Sequence, residues 1–156
     1  MTDSGLVAAL RPVADALIAH LAAAYYVPVD RLRSAIAARS SFNLIHLATM
    51  FKIDVFVSKG RPFDREAASR ARAQAIDEAP DAPRFLVASP EDTVLAKLEW
   101  FRLGGETSER QWWDIIGVLK VTADADRMYL QRWAATLGVA DLLARALADA
   151  TSPGEG

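Results

Sequence analysis

Two short apolar runs separated by a brief break form the clearest pattern in the chain, at residues 40–57. Phe, Ile and Val dominate both runs, and such residues favour a pleated, half-buried strand surface. The pattern therefore predicts a β-hairpin with its turn at a Thr-Met pair. With a two- or four-residue turn, Ile45 lies opposite Asp54 and His46 faces away from that carboxylate, because side chains alternate between faces. A three-residue loop would shift the pairing by one and reverse the faces.

A carboxylate interrupts the second apolar run, in the sequence Ile53-Asp54-Val55. Burying an unpaired carboxylate is costly, because the charged group loses its hydration. Asp54 is therefore exposed at a sheet end, paired with another group, or a ligand for a cation. Residue type and position alone leave these three alternatives open.

Before the hairpin, apolar residues at helical spacing predict an amphipathic helix over residues 12–24. A short β-like piece follows at 25–27, and a brief helix at 31–39. After the hairpin, an alanine-rich run with alternating charges predicts a helix that ends at about residue 77. The apolar residues at 84–88 predict a short strand.

The remainder of the chain has strong helix start and stop signals. Ser89 and Ser108 each precede a helical pattern, with an acidic or amide residue three positions later, as in a capping box. The helices that follow are predicted to end at Leu103 and at about Val121. Asp124 is predicted to open a further helix that ends at Gly138, and a last helix is predicted from Asp141 to Ala148.

Strands mixed with helices first, and helices alone afterwards, are typical of an α+β fold with a helical subdomain beside its sheet. We predict a small mixed β-sheet in an α+β core at residues 1–88 and a C-terminal helical subdomain at 89–150. Residues 151–156 are polar and contain Gly and Pro, so they are predicted to form a flexible tail.

Composition restricts the chemistry that the chain can perform. Its 156 residues are 52% apolar and 24% charged, with a net charge of −2, so the charge does not indicate nucleic-acid binding. Cysteine is absent and the histidines are two, which leaves carboxylates as metal ligands and favours magnesium, manganese or calcium. We predict a cytoplasmic protein without a membrane span, because no apolar run approaches the roughly 20 residues that a span needs.

A few charged residues of the helical half are further candidates for binding. Lys97 lies on the first of these helices, and Arg110 and Asp114 lie four residues apart on the next, hence on one helix face. Lys97 is otherwise a surface lysine whose stem covers apolar area, and the other two a simple ion pair. The four tryptophans are interpreted as helix–helix core rather than as a stacking platform.

Five segments together resemble bacterial nucleotidyltransferase-like proteins of the polymerase-β superfamily. They are residues 41–46, 51–56, 89–101, 110–116 and 129–133. The resemblance is to the minimal nucleotidyltransferases and to the nucleotidyltransferase toxins of toxin–antitoxin pairs. It implies a sheet of nucleotidyltransferase type and an Mg²⁺-dependent transfer of a nucleotide from a nucleoside triphosphate (NTP) to a hydroxyl group.

In that family an Asp-x-Asp pair and a third carboxylate hold two magnesium ions, which activate the attacking hydroxyl and stabilise charge at the α-phosphate. The resemblance implies that Asp54 is the third, catalytic carboxylate and that Asp3 is a further metal ligand. Lys97, Arg110 and Asp114 would then lie near the nucleotide.

The chain departs from the family pattern at two places. The Gly-Ser turn of the family is absent, and Gly5 stands where the second metal aspartate is expected. These departures lead to the expectation of a truncated product, a wrongly assigned start or a non-catalytic descendant. Two hypotheses follow: an active nucleotidyltransferase, or a catalytically silent interaction module that pairs with itself or with a partner protein.

Overall fold

The computed structural model describes residues 12, 14–79, 82–122 and 124–152. They belong to two compact units, the first ending at Asp64 and the second beginning at Arg65. Helices and small sheets occur together, which confirms the α+β class. The domain boundary predicted at residue 88 stays a prediction.

The first unit contains a three-stranded sheet and two helices that precede or interrupt it. Its elements are α1 at residues 14–21, β1 (Tyr25–Tyr26), α2 (Val29–Ala38), β2 (Ser41–His46) and β3 (Lys52–Phe56). The strand order is β1-β2-β3. Leu32 of α2 and Phe42 and Leu44 of β2 belong to one buried cluster, so α1, α2 and the sheet share a single core face.

The β2–β3 hairpin confirms the predicted strands but not their register. Asn43, rather than Ile45, lies opposite Asp54. The turn has four residues, which is one of the two predicted lengths. It is centred one residue earlier than the Thr-Met pair, because His46 N–H donates to the Phe51 carbonyl at 2.8 Å. Thr49 favours this turn, because its hydroxyl contacts His46 Nδ1 at 2.7 Å. Each residue of β2 is therefore paired two positions away from its predicted partner on β3, as Ile45 with Lys52 instead of Asp54. An even shift leaves the predicted assignment of faces unchanged.

Helix α3 (Pro62–Arg70) is shorter than predicted, and the expected helix to residue 77 is wrong. After Arg70 the chain forms β4 (Arg72–Ala75), which pairs in antiparallel fashion with β5 (Arg84–Val87). Alanine-rich sequence favours a helix by only tenths of a kcal/mol per residue, as a rough measure, so strand pairing overrides it here.

Four helices complete the second unit, and most of their predicted ends are confirmed. They are α4 (Pro90–Leu103), α5 (Glu109–Val121), α6 (Arg127–Leu137) and α7 (Ala140–Thr151). The hydroxyls of Ser89 and Ser108 accept backbone N–H bonds at the starts of α4 and α5, as the capping boxes predict. Helix α6 begins later than predicted, because Asp126 rather than Asp124 accepts the capping bond from Tyr129 N–H.

The sheets are antiparallel wherever the structure describes them, so the predicted mixed sheet is wrong for these residues. The nucleotidyltransferase type of the sheet stays a prediction. Among the described helices, none combines the length and apolar character that a bilayer crossing requires.

Candidate functional site

Asp54 lies on the face of the first sheet that is turned away from its core. Phe42 and Leu44 are buried on the core face, and Asn43 and Asp54 occupy the opposite, open face as directly facing residues. The Asp54 side chain is 54% exposed, and its Oδ1 lies 3.1 Å from Lys52 Nζ. Lys52 is two residues earlier on the same strand, hence on the same face.

Of the three alternatives for Asp54, the structure shows a paired carboxylate on an open sheet face. Its pairing with Lys52 balances its charge, and its exposure removes the burial cost that motivated a search for a cation. A metal-binding role for Asp54 stays a prediction. Asp3, the other predicted metal ligand, and Gly5 lie outside the described residues.

His46 and Asp54 do not form a dyad. His46 lies opposite Tyr25 in the β1–β2 pairing, and the two ring centroids are 5.1 Å apart. Its Nδ1 contacts the Thr49 hydroxyl. The histidine therefore supports the hairpin turn on the core-facing side of the sheet, as the alternation of faces predicts.

The structure brings together two of the three residues assigned to nucleotide contacts. Lys97 Nζ of α4 lies 3.1 Å from Asp114 Oδ2 of α5. Arg110 is exposed one helical turn before Asp114. All three belong to the second unit, whereas Asp54 belongs to the first. Their roles as nucleotide ligands stay predictions.

Asp92, a buried carboxylate of the second unit, has more hydrogen-bonding and charged partners than any candidate site residue predicted from the sequence. The Asp92 side chain is 2% exposed and is 3.2 Å from Arg70 Nε. It also accepts hydrogen bonds from the Tyr129 hydroxyl at 2.5 Å and from the Ser89 hydroxyl at 2.7 Å. We call Arg70, Ser89, Glu91, Asp92 and Tyr129 the Asp92 network.

Arg70 is the cation of the Asp92 network. Its guanidinium donates to Glu91 Oε2 at 3.0 Å and lies 3.9 Å from the Tyr129 ring centroid. Burial lowers the Arg70 pKa, but the hydrogen bond and charge of Asp92 outweigh this and raise it. Burial, followed by the hydrogen bond to Asp92, also raises the Tyr129 pKa, so its hydroxyl remains a proton donor. The network therefore ties α3, the start of α4 and α6 together rather than offering an open site.

Glu91 connects the Asp92 network to the start of α6, because its Oε1 accepts the Asp126 N–H at 3.1 Å. Burial alone would raise the Glu91 pKa, but backbone N–H groups, the Ser89 hydroxyl and Arg70 together lower it. A lowered pKa means that the charged form stabilises the fold above the pKa of the unfolded chain, about 4.3. This contribution is lost as the pH falls through the folded-state value.

We therefore expect Glu91→Gln to flatten the loss of stability in acid. The free energy of unfolding should decrease less for this variant than for the parent chain when the pH is lowered from about 6 to about 3. Urea titrations followed by tryptophan fluorescence provide the measurement. Glu109→Gln, at an exposed residue of α5, is the control. An equal loss in the parent and the Glu91 variant would show that Glu91 has no depressed pKa.

A surface groove in the second unit contains the exposed aromatic residue of the helical part. Trp112 and Trp133 are buried, as the core interpretation predicts, but Trp113 is 65% exposed. Trp112 Nε1 donates to Asp149 at 3.0 Å, and the Arg145 guanidinium lies 4.2 Å from the Trp112 ring centroid. The groove measures about 380 Å³, and its lining includes Phe101, Glu106, Trp113 and Arg145. Its Glu106 already pairs with Arg102, and Asp149 and Arg145 both contact Trp112.

The open sheet face fits a magnesium ion only in part. In the described stretches of chain, no three acidic or histidine side chains are grouped closely enough to hold a metal ion. Mg²⁺ usually binds through one or two carboxylates and completes its shell with water and substrate phosphates. Asp54 with the Asn43 amide opposite it fits an ion that arrives with a nucleotide, not a cage formed by the protein alone.

Sequence reasoning found Asp54 but missed the Asp92 network. The Ser-Pro-Glu-Asp sequence at 89–92 indicates a helix start, and the structure confirms that role. The burial of Asp92 against Arg70 and Tyr129 has no signal in the nearby sequence, since these partners are 22 and 37 residues away. Comparison with known protein families, with curated proteins and with solved structures finds no match to the chain.

Proposed function

We propose that the chain is a nucleotidyltransferase-like protein and that the open face of its three-stranded sheet is the site. The proposal rests on the resemblance of residues 41–46 and 51–56 and on one structural observation. Asp54, the carboxylate that the resemblance assigns to metal binding, is exposed on a sheet face that the core does not cover. A buried Asp54 would have left no room for a substrate. The proposal includes a cytoplasmic location.

Asp54 would hold Mg²⁺ together with the phosphates of an NTP, and Asn43 is the polar residue directly opposite it in the strand pairing. When bound, the metal supplies charge stabilisation at the α-phosphate and a more acidic attacking hydroxyl. The protein's contribution is to orient the ion and its phosphates on a rigid strand. Asp3 would be a second carboxylate.

We expect Mn²⁺, a paramagnetic substitute for Mg²⁺, to broaden the amide NMR signals of Asn43 and of residues 53–55. The effect should require Asp54, because its carboxylate is the charged oxygen donor on this face. Asp54→Asn should reduce the broadening to the level of the bulk protein. Asp30→Asn, which removes an exposed carboxylate of the same unit, is the matched control and should behave like the parent chain.

Transfer of the nucleotidyl group from α-labelled NTPs to RNA, protein or small hydroxyl acceptors, with release of pyrophosphate, is the second readout. Equal Mn²⁺ broadening in the parent chain and in Asp54→Asn would sink the proposal, whatever the transfer assay shows. Transfer that survives in Asp54→Asn would move the catalytic centre elsewhere.

A second function, an interaction module, is favoured by the β4–β5 hairpin. All residues of both strands are exposed, among them Phe85, Leu86 and Val87, with Leu86 76% exposed. A two-stranded hairpin alone is marginally stable in water, and neighbouring exposed apolar residues often mark interaction surfaces. The chain would then pair with itself or with a partner of the toxin–antitoxin type. In that case Asp54→Asn would not change the broadening of its amide signals by Mn²⁺.

A further inference from the structure

Lys52 and Asp54 form a cation–carboxylate pair on the open sheet face of the first unit. Both project from the same side of β3, and Lys52 Nζ is 3.1 Å from Asp54 Oδ1. We propose that Lys52 binds the phosphate oxygens of the nucleotide whose metal ion is held by Asp54. The inference rests on the function proposed above and adds a phosphate-binding residue to that site.

The position of Lys52 follows from the strand itself. Residues two apart on a strand project from the same face, so a ligand of Asp54 would be bound on the face from which Lys52 also projects. An oxygen that shares a Mg²⁺ ion with the carboxylate lies within about 4 Å of it, because each Mg–O distance is about 2.1 Å. The Lys52 ammonium is already at such a distance from the carboxylate. A phosphate oxygen on the same sheet face would therefore lie within reach of the flexible and exposed Lys52 side chain.

Lys52 is also free to change partners. Its side chain is 57% exposed, and an exposed ion pair contributes little stability because water screens both charges. A lysine ammonium has three donors, so it can contact a phosphate while it stays near the carboxylate. A phosphate that carries more than one negative charge is a stronger partner than a single exposed carboxylate. The pair at Asp54 is thus a site that a phosphate can enter at low cost.

Lys97 and Arg110, the cations that the resemblance assigns to the nucleotide, belong to the second unit. Lys97 contacts Asp114 there. Lys52 is the cation whose closeness to Asp54 is fixed by the chain, since a single residue separates the two. This difference makes Lys52 the first residue to test for phosphate binding.

The competing explanation for Lys52 is that it only neutralises Asp54. In that case its ammonium competes with a metal ion for the carboxylate, and its removal tightens metal binding without any effect on phosphate. The two roles therefore differ in the ligand whose affinity changes. A test needs one probe for the metal alone and one for phosphate with metal.

Inorganic tripolyphosphate with Mg²⁺ is a suitable phosphate probe, because it contains no base or sugar, and Mn²⁺ alone is the metal probe. Calorimetric titration and NMR titration of the residue 52–55 amides give both affinities. We expect Lys52→Met to weaken Mg²⁺–tripolyphosphate binding about tenfold, as for loss of one charge-assisted hydrogen bond, and not to weaken Mn²⁺ binding. Lys120→Met, at an exposed lysine of α5, is the charge-matched control and should leave both affinities unchanged.

The outcomes separate the inference from the function on which it rests. Tripolyphosphate binding that is equal in the Lys52 and Lys120 variants, together with loss of Mn²⁺ binding in Asp54→Asn, overturns the role of Lys52 and keeps the Asp54 site. Failure of the parent chain to bind either probe at millimolar concentration, or full binding by Asp54→Asn, overturns the proposed function and the inference together. Tighter Mn²⁺ binding with unchanged phosphate binding in Lys52→Met assigns Lys52 to charge neutralisation alone.

Discussion

Asp92→Ala is expected to lower the free energy of unfolding by about 3 kcal/mol, although Asp92 lies on the first turn of a helix, where substitutions are often mild. Its carboxylate accepts hydrogen bonds from Tyr129, Ser89 and Arg70. Removing it leaves the Tyr129 hydroxyl, which is part of the core, without its acceptor. An unsatisfied buried donor costs about 1–3 kcal/mol, and loss of the charged contact to Arg70 adds to this.

Arg70 limits the effect, because its side chain is 30% exposed and keeps Glu91 as a partner. Asp92→Asn should therefore be milder than Asp92→Ala, since an amide oxygen can still accept from Tyr129 but carries no charge for Arg70. In a chain that already carries Tyr129→Phe, most of the free-energy cost of Asp92→Ala should disappear, because no hydroxyl is left without its acceptor. A double-mutant cycle of Asp92→Ala and Tyr129→Phe is expected to show coupling of about 1–3 kcal/mol.

Urea titrations of these variants, followed by tryptophan fluorescence and circular dichroism, give the measurement. Asp114→Ala is the matched control, because Asp114 is also paired with a cation but its side chain is 50% exposed. We expect it to change the free energy of unfolding by less than about 0.5 kcal/mol. If Asp92→Ala costs no more than this control, the Asp92 network does not hold the helices together.

Signals that act between residues close in sequence predict the fold correctly. The hydroxyls of Ser89 and Ser108 accept from backbone N–H groups three residues later, so both helix starts could be located from the sequence. Gly138 has φ +71° at the end of α6, a conformation that glycine adopts without strain. These features depend on the local chain alone, and tertiary packing leaves them unchanged.

Pairing with a distant segment explains one failure, and a local turn contact explains the other. The run at 72–75 reads as helix by composition, yet it pairs with residues 84–87. The hairpin register depends on where the turn is centred. The turn contains no strong turn dipeptide, and its observed centre is favoured by the contact of the Thr49 hydroxyl with His46. The strand at 72–75 has no signature in its own residues, and the turn has only the weak one of Thr49.

The candidate site was predictable in part from alternation. Ile53 and Val55 pack against the core, so Asp54 between them must face outward. The sequence interpretation instead left exposure, pairing and cation binding open for Asp54, and the family resemblance favoured the last. Strict use of the alternation would have identified an exposed carboxylate with Lys52 beside it. The Asp92 network could not have been found in this way, since its partners come from three separate helices.

Leu98→Ala is expected to have an effect as large as the loss of Asp92. Leu98 is 0% exposed on α4, and Leu95 one turn earlier is also fully buried. Helix α4 packs against α5, α6 and α7, so its apolar stripe is enclosed on several sides. A cavity in such a place cannot collapse easily, and leucine-to-alanine changes there cost about 2–5 kcal/mol.

Leu103→Ala is the matched control, since it makes the same change at a 62% exposed position of the same helix. We expect it to alter the free energy of unfolding by less than about 0.5 kcal/mol in urea titrations. A cost at Leu98 within that limit would mean that α4 is not the centre of the helical core. A cost of several kcal/mol at Leu98 alone would show that apolar packing around α4 maintains the helical core of the second unit.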